Sequence, residues 1–377
     1  MLPKMQRLLR ATVVIAAVGQ IFGGLVEAQS DWVIDPVPIM DIRGTNTLGE
    51  LAFGMATGAT RLSSGLIAVA DGSTLSVRLF SSTGQLQRIV GRAGNGPGEF
   101  RSMMWIGSCG TDSVYVWDLG NRQMAVIGAT GGVSRQFRFS SDSGPAPTPL
   151  AIGCAGPQHF AYTSVPIVRE PTKTRNVFRG STALVIADAD GKPVRHVGVV
   201  AASEMAAMGG AGFHRPLGKG TSFAFAGDRV YVGTADSAAI DEYLAGGSKR
   251  PVLLRIPERT ASQADLEKAI ENAVAYVPPM ARERAVAAMR AIAIPTHLPP
   301  YTGLLGDPEG LVWVILSASA DSVTTLRAIG PGGKVVTDLR LPRAITVFEI
   351  GRDYLLGSYE DADLEPHVAV YRLRRGR

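Results

Sequence analysis

One short element recurs six times along this chain, and the recurrence limits the fold more than any other feature. A Gly, Asp or Ser turn is followed by a brief run of Val, Ile, Tyr, Leu or Trp. The copies are Ser64–Val69, Asp112–Trp117, Gly156–Tyr162, Gly227–Val232, Glu309–Val314 and Gly351–Leu356. Each is followed by a second strand: Leu75–Phe80, Gln123–Ile127, Ala183–Ile186, Ala239–Leu244, Thr324–Ala328 and His367–Leu373. After a Gly turn, the first five copies continue into a third: Gln85–Val90, Val133–Phe139, Pro193–Val200, Pro251–Ile256 and Lys334–Leu341. One more strand candidate lies upstream of each copy, such as Met103–Gly107 or Ala344–Ile350.

Five units therefore read as four-stranded and the sixth stops after three. The extended segment Trp32–Ile42 stands before the first unit and is free to supply the missing strand. The expectation is an all-β chain: a six-bladed β-propeller of four-stranded antiparallel blades, closed by the N-terminal strand. Radial repetition leaves only short, protected sheet edges. Seven blades is the main alternative. A solenoid would need capping repeats, and none is visible.

Two intervals between copies are long, at the third and fourth units. The first holds the polar, basic stretch Arg169–Arg179 and the Gly/Ala/Met-rich stretch Ala201–Gly220. The second, Pro257–Pro295, reads as helical. Ser262 is a candidate cap with Asp265 three residues later. Leu266, Ala269, Ile270, Ala273 and Val277 form one apolar stripe. Pro278 and Pro279 break it, and Met280–Ile292 reads as a second short helix. The insert of about 257–295 is either a lid over one face or decoration packed on a blade edge.

Residues 1–28 read as a signal peptide. Lys4, Arg7 and Arg10 precede the uncharged run Ala11–Val26, and Val26-Glu27-Ala28 supplies the small residues before a cut. The run is interrupted by Gln20 and falls short of the roughly 20 apolar residues of a spanning helix. The expected compartment is periplasmic or extracellular, with residues 29–377 forming the propeller and no membrane span after cleavage. The net charge of +5 hints at nucleic acid. The leader and the last six residues carry that whole excess, and the body between them has no net positive charge. Nucleic acid is not an expected partner.

The decapeptide Gly91-Arg92-Ala93-Gly94-Asn95-Gly96-Pro97-Gly98-Glu99-Phe100 follows the first unit. It resembles the signature of exported bacterial six-bladed β-propeller proteins, relatives of the NHL-repeat group. Asp71 through Phe80 and Asp118-Leu119-Gly120-Asn121-Arg122 look like blades of the same kind. The resemblance implies fold and compartment, and no particular reaction. Taken on its own residues, the decapeptide lacks the Gly-Lys-[Ser/Thr] of a phosphate loop. Its expected role is a blade junction, with Phe100 buried and Glu99 accepting backbone N–H bonds.

Chemical constellations are sparse. No two of the five His lie within five residues, so no short zinc motif exists and no metal or other cofactor is expected. No Gly-x-Ser-x-Gly elbow is present. Asp71, Arg78, Trp117, Asp118, Asn121 and Arg122 follow or flank repeated strands on one face and are the expected ligand-binding set. The plainer role of Asp71, Asp118 and Asn121 is turn capping. Cys109 and Cys154 occupy equivalent places in adjacent units. Packed sheets sit roughly 10 Å apart, so only convergence near the axis would let them pair. The functional expectation is a binding module for an unidentified protein or small molecule in the cell envelope. The alternative is a hydrolase or lyase, with or without metal assistance, with its site at the channel mouth.

Overall fold

The structure is a computed structural model. It describes residues 32–44, 53–128, 131–140, 149–164, 177–208, 211–274, 277, 279–292, 295–319 and 323–376. The expected leader 1–28 and residues 169–176 of the basic stretch lie outside the described residues.

Six antiparallel sheets form a propeller ring. Blade 1 comprises Ala56–Arg61, Ile67–Asp71, Ser76–Phe80 and Leu86–Val90. Blade 2 comprises Met103–Gly107, Val114–Asp118, Gln123–Ile127 and Val133–Phe137. Blade 4 comprises Ser222–Ala226, Arg229–Gly233, Ala239–Tyr243 and Lys249–Leu253. Blade 5 comprises Tyr301–Gly306, Val312–Leu316, Thr325–Ile329 and Val335–Arg340. The first strands of successive blades touch in order, and that of blade 6 returns to that of blade 1.

The repeated element is the second strand of each blade. In blades 1 and 2 every residue of it is buried. Neighbouring blades cover both of its faces, so it reads as a continuous apolar run rather than an alternating one. The fourth strands lie outside, and Leu86–Val90 is exposed at four of its five positions.

Ring closure follows the expected scheme. Blade 6 contributes Thr346–Ile350, Tyr354–Glu360 and Pro366–Arg374. Two N-terminal strands, Val33–Ile34 and Met40–Arg43, pair antiparallel with the last of these. Side chains lock the same seam. The Arg375 guanidinium lies 5.0 Å from the ring centroid of Trp32 and 5.9 Å from that of Trp313. Its Nη2 also donates to Asp307 Oδ2 at 2.7 Å. Arg374 pairs with Asp35. Part of the C-terminal basic excess is thus neutralised inside the closure.

The core is divided by blade. One apolar cluster fills each interface between neighbours: Phe100 with Val116 between blades 1 and 2, for example, and Trp313 with Tyr371 between blades 5 and 6. Small residues let the inner strands converge. A Cβ on Gly306 would lie 1.8 Å from the carbonyl oxygen of Phe225 in the neighbouring blade. The same convergence answers the cysteine question. Cys109 and Cys154 end up at the inner ends of blades 2 and 3, form a disulfide, and have Cα atoms 5.3 Å apart.

Blade 3 departs most from expectation. After Pro149–Cys154 and Phe160–Ser164, its third strand spans Val177–Ala187 and its fourth Pro193–Met208. The stretch from Ala201 is therefore no separate insertion. It continues the expected strand Pro193–Val200 as a long hairpin, with Ala211–His214 paired on its edge.

The second insertion is helical as expected. Helix α1 spans Gln263–Ala273 and helix α2 Pro279–Arg290. Ser262 and Asp265 form a full capping box: the Ser262 Oγ accepts from Asp265 N, and Asp265 Oδ2 accepts from Ser262 N at 2.8 Å. Leu266, Ile270, Val274, Met289 and Ile292 pack with Ala206 of the blade 3 extension as a seventh apolar cluster. The two insertions thus bury each other. Among the described residues no helix is long and apolar enough to cross a membrane.

Candidate binding cleft

A cleft of about 600 Å³ lies where the two insertions meet the ring. Its walls are the blade 3 extension, the loop between the second and third strands of blade 4, both ends of the helical insertion, and the end of the second strand of blade 5. A volume near this value suits a small-molecule ligand.

Backbone pairing positions the two ends of the insertion. Ala261 N donates to Thr296 O and Leu298 N donates to Arg259 O, each at 2.9 Å. Pro257, Pro295, Pro299 and Pro300 fix φ along the same stretch. Beneath, the blade 4 loop is fastened by Tyr301. Its hydroxyl accepts from Ala235 N at 3.0 Å and donates to Ala239 O at 2.9 Å. Burial pushes the Tyr301 phenol up to about 12, so it stays protonated and keeps both bonds.

The lining has two characters. Leu217, Ala238, Ile256, Leu298 and Leu316, with the prolines, make an apolar bed, and among the described residues no Phe, Tyr or Trp lines it. The charged groups of the rim are mostly matched. Arg215 faces Glu204 at 3.0 Å, and Lys219 faces Asp236 at 3.0 Å. Asp236 also pairs with Arg179 at 2.7 Å. Burial raises the Asp236 carboxyl, but bonds from Lys219, Thr234 and Arg179 outweigh it and hold the group below its ordinary value. His297 is exposed and lies 3.9 Å from Glu258. Arg259 donates through Nη1 to the backbone oxygen of Ser317 at 2.9 Å.

None of the six residues expected from the sequence to bind ligand lines this cleft. They belong to blades 1 and 2. Asp71 is fully buried and accepts from Gly54 N, Met55 N, Ser73 N and the Ser73 and Thr74 hydroxyls. Burial raises its carboxyl, but these bonds more than offset that and lower it. Arg78 Nε pairs with Asp71 Oδ2 at 3.1 Å inside the protein. Asp118 plays the same part for Arg101 N, Ser102 N and Gly120 N. Trp117 is fully buried and its Nε1 has no hydrogen-bond partner among the described residues. Asn121 donates to the backbone oxygens of Gly94 and Glu99, and Arg122 is exposed at φ 53°. Turn capping accounts for the bonds of Asp71 and Asp118, and Asn121 ties its loop to the decapeptide. In that decapeptide, Phe100 is buried and Glu99 Oε2 accepts from Gly96 N at 2.8 Å.

Elsewhere, Asp361, Glu365 and His367 bring potential metal-ligand atoms within 4.8 Å of one another. His367 is buried, with Nδ1 2.8 Å from Asp41 and Nε2 3.3 Å from Asp361. Asp361 also accepts from Asp363 N and Glu365 N, the same turn arrangement that Asp188 and Asp307 make in theirs.

No family model matches the chain, and no curated protein matches it. Solved structures share its fold. A member of the DUF4221 family from Bacteroides vulgatus is 9% identical, with 92% of this chain and 100% of that chain covered and a TM-score of 0.52. The PQQ-bound aldose sugar dehydrogenase from Streptomyces coelicolor is 10% identical, with 92% and 99% covered and a TM-score of 0.45. A gluconolactonase from Xanthomonas campestris is 11% identical, with 92% and 96% covered and a TM-score of 0.43. Of these three, the likeness to the DUF4221 member supports the fold, and at 9% identity it does not speak to activity.

Proposed function

We propose that this chain is an exported β-propeller binding module whose ligand occupies the cleft between the two insertions. The compartment rests on the leader pattern of residues 1–28 and on a disulfide, which persists in oxidising surroundings. The carrying observation is the cleft itself. Two insertions from different parts of the chain pack on one another, and their packing encloses about 600 Å³ above the ring. Rigid loops over a propeller scaffold are a usual place for recognition.

The cleft favours a molecule with an apolar body. Its bed is aliphatic and proline-rich, without the aromatic platforms on which sugar rings stack. A catalytic reading is weaker here. Among the described residues lining the cleft, the one His–carboxylate approach, His297 to Glu258, is 3.9 Å long and exposed on both sides, whereas an acid–base pair works at hydrogen-bond distance.

Decanol is a suitable neutral probe. Binding to the folded state alone stabilises by roughly 2.7 kcal/mol at about 100 times Kd. Decanol should therefore raise the unfolding temperature of the wild type and leave an Ala238→Trp variant, whose cleft is filled, unmoved. An equal rise in both, or none in either, contradicts the reading.

A further inference from the structure

Beside the cleft opens a smaller cavity of about 250 Å³. It shares Arg259, Leu316 and Ser317 with the main cleft, so the two adjoin. Its chemistry is different. Arg259 and Arg340 both line it, with the hydroxyls of Ser317, Ser319 and Thr325, and no carboxylate does so among the described residues.

That contrasts with the main cleft, where Arg215 and Lys219 each face an acid at 3.0 Å. Among the described residues, Arg259 uses only Nη1, on a backbone oxygen. Arg340 makes no ion pair among the described residues. Two guanidinium groups on one small cavity repel each other unless a negative charge lies between them. Arg is also the side chain whose planar fork matches carboxylate and phosphate oxygens in pairs.

The supports are firm ones. Arg340 and Thr325 are cross-strand partners at the end of blade 5. Ser317 closes the second strand of the same blade and donates to the backbone oxygen of Pro299. Arg259 arrives from the helical insertion, braced by the pairing of Thr260 with His297. Three separate pieces of chain therefore line one cavity, with two exposed arginines among them.

We infer that this cavity is an oxyanion subsite, and that the ligand of the cleft is an amphipathic anion with its apolar body on the aliphatic bed and its carboxylate or phosphate head between Arg259 and Arg340. The inference rests on the cleft being the binding site, and the test separates the two claims. Decanol, decanoate and decyl phosphate are titrated calorimetrically into the intact protein, the Arg340→Ala variant and the Arg259→Ala variant. Charge-assisted contacts to two guanidinium groups should make either anion bind at least about tenfold more tightly than decanol in the wild type. That preference should shrink to within about threefold in each variant, because an exposed ion contact is worth little once one partner is gone, while decanol affinity stays unchanged in Arg340→Ala, whose residue lies outside the main cleft. The stronger of the two anions identifies the head group. Equal affinity for decanol and both anions overturns the subsite and leaves the cleft standing. A preference that survives both variants also overturns the subsite. No binding of any probe overturns both.

Discussion

Arg179 Nη1 and Asp236 Oδ1 are 2.7 Å apart, and this pair joins the long third strand of blade 3 to the loop that walls the cleft in blade 4. Lys219 reaches the same oxygen at 3.0 Å. One carboxylate thus gathers two cations from the blade 3 extension. Asp236→Asn should cost little globally, below about 1 kcal/mol for an exposed network. It should show a pH signature. The native carboxyl sits below its ordinary value, so its contribution is present above the unfolded value near 3.9 and is lost as pH falls through the native value. Urea midpoints of wild type and variant should differ at about pH 6 and converge towards about pH 3.

Asp71 holds five hydrogen-bond donors and the buried Arg78. Asp71→Ala removes the carboxylate that pairs with that buried guanidinium. A loss of about 3–5 kcal/mol is expected, as for other broken buried pairs. Denaturant titration should show it as an early unfolding midpoint. A loss of ligand binding with unchanged stability would instead support a role in recognition.

Cys109 and Cys154 close a loop with a sequence separation of 45. In the chain-entropy account such a cross-link contributes about 4 kcal/mol. Thermal unfolding of the Cys109→Ala, Cys154→Ala double variant should begin well below that of the oxidised protein. Mass measurement before and after alkylation verifies that the thiols were paired.

Much of the ring was legible because its signal is local. Second strands buried on both faces read as apolar runs, and turns punctuate them. The closing strand could be anticipated from a missing fourth strand and an extended segment at the other end. Ser262 and Asp265 stand three residues apart in a capping pattern and do form the box. The blade 3 extension was not legible, because Ala201–Met208 is rich in Ala and Met, which favour strands weakly. Its strand state comes from pairing with Val177–Ala187 and from helices arriving much later in the chain. The cleft was hidden for the same reason, since its lining runs from Glu204 to Ser317. Asp71 and Asp118 lie on strands near their expected places, but they turn inward to backbone N–H groups at Gly54–Met55 and Arg101–Ser102, which no local spacing reveals.

Ile270 is buried in the cluster that unites helix α1 with Ala206 of the extension. Ile270→Ala should remove about 2–5 kcal/mol of packing there. The ring has its own six clusters and should keep its cooperative transition. Limited proteolysis should then cut within 263–292 faster than in the wild type. A drop in the ring transition of the same size would mean that the insertion supports the propeller itself.

Hydrogen–deuterium exchange with and without decanoate locates the bound molecule and compares the two candidate regions directly. Protection is predicted in peptides covering 235–238, 256–259 and 295–300, where the insertions meet the ring. Protection in 72–75 and 119–122 of blades 1 and 2, with none around the cleft, would contradict it.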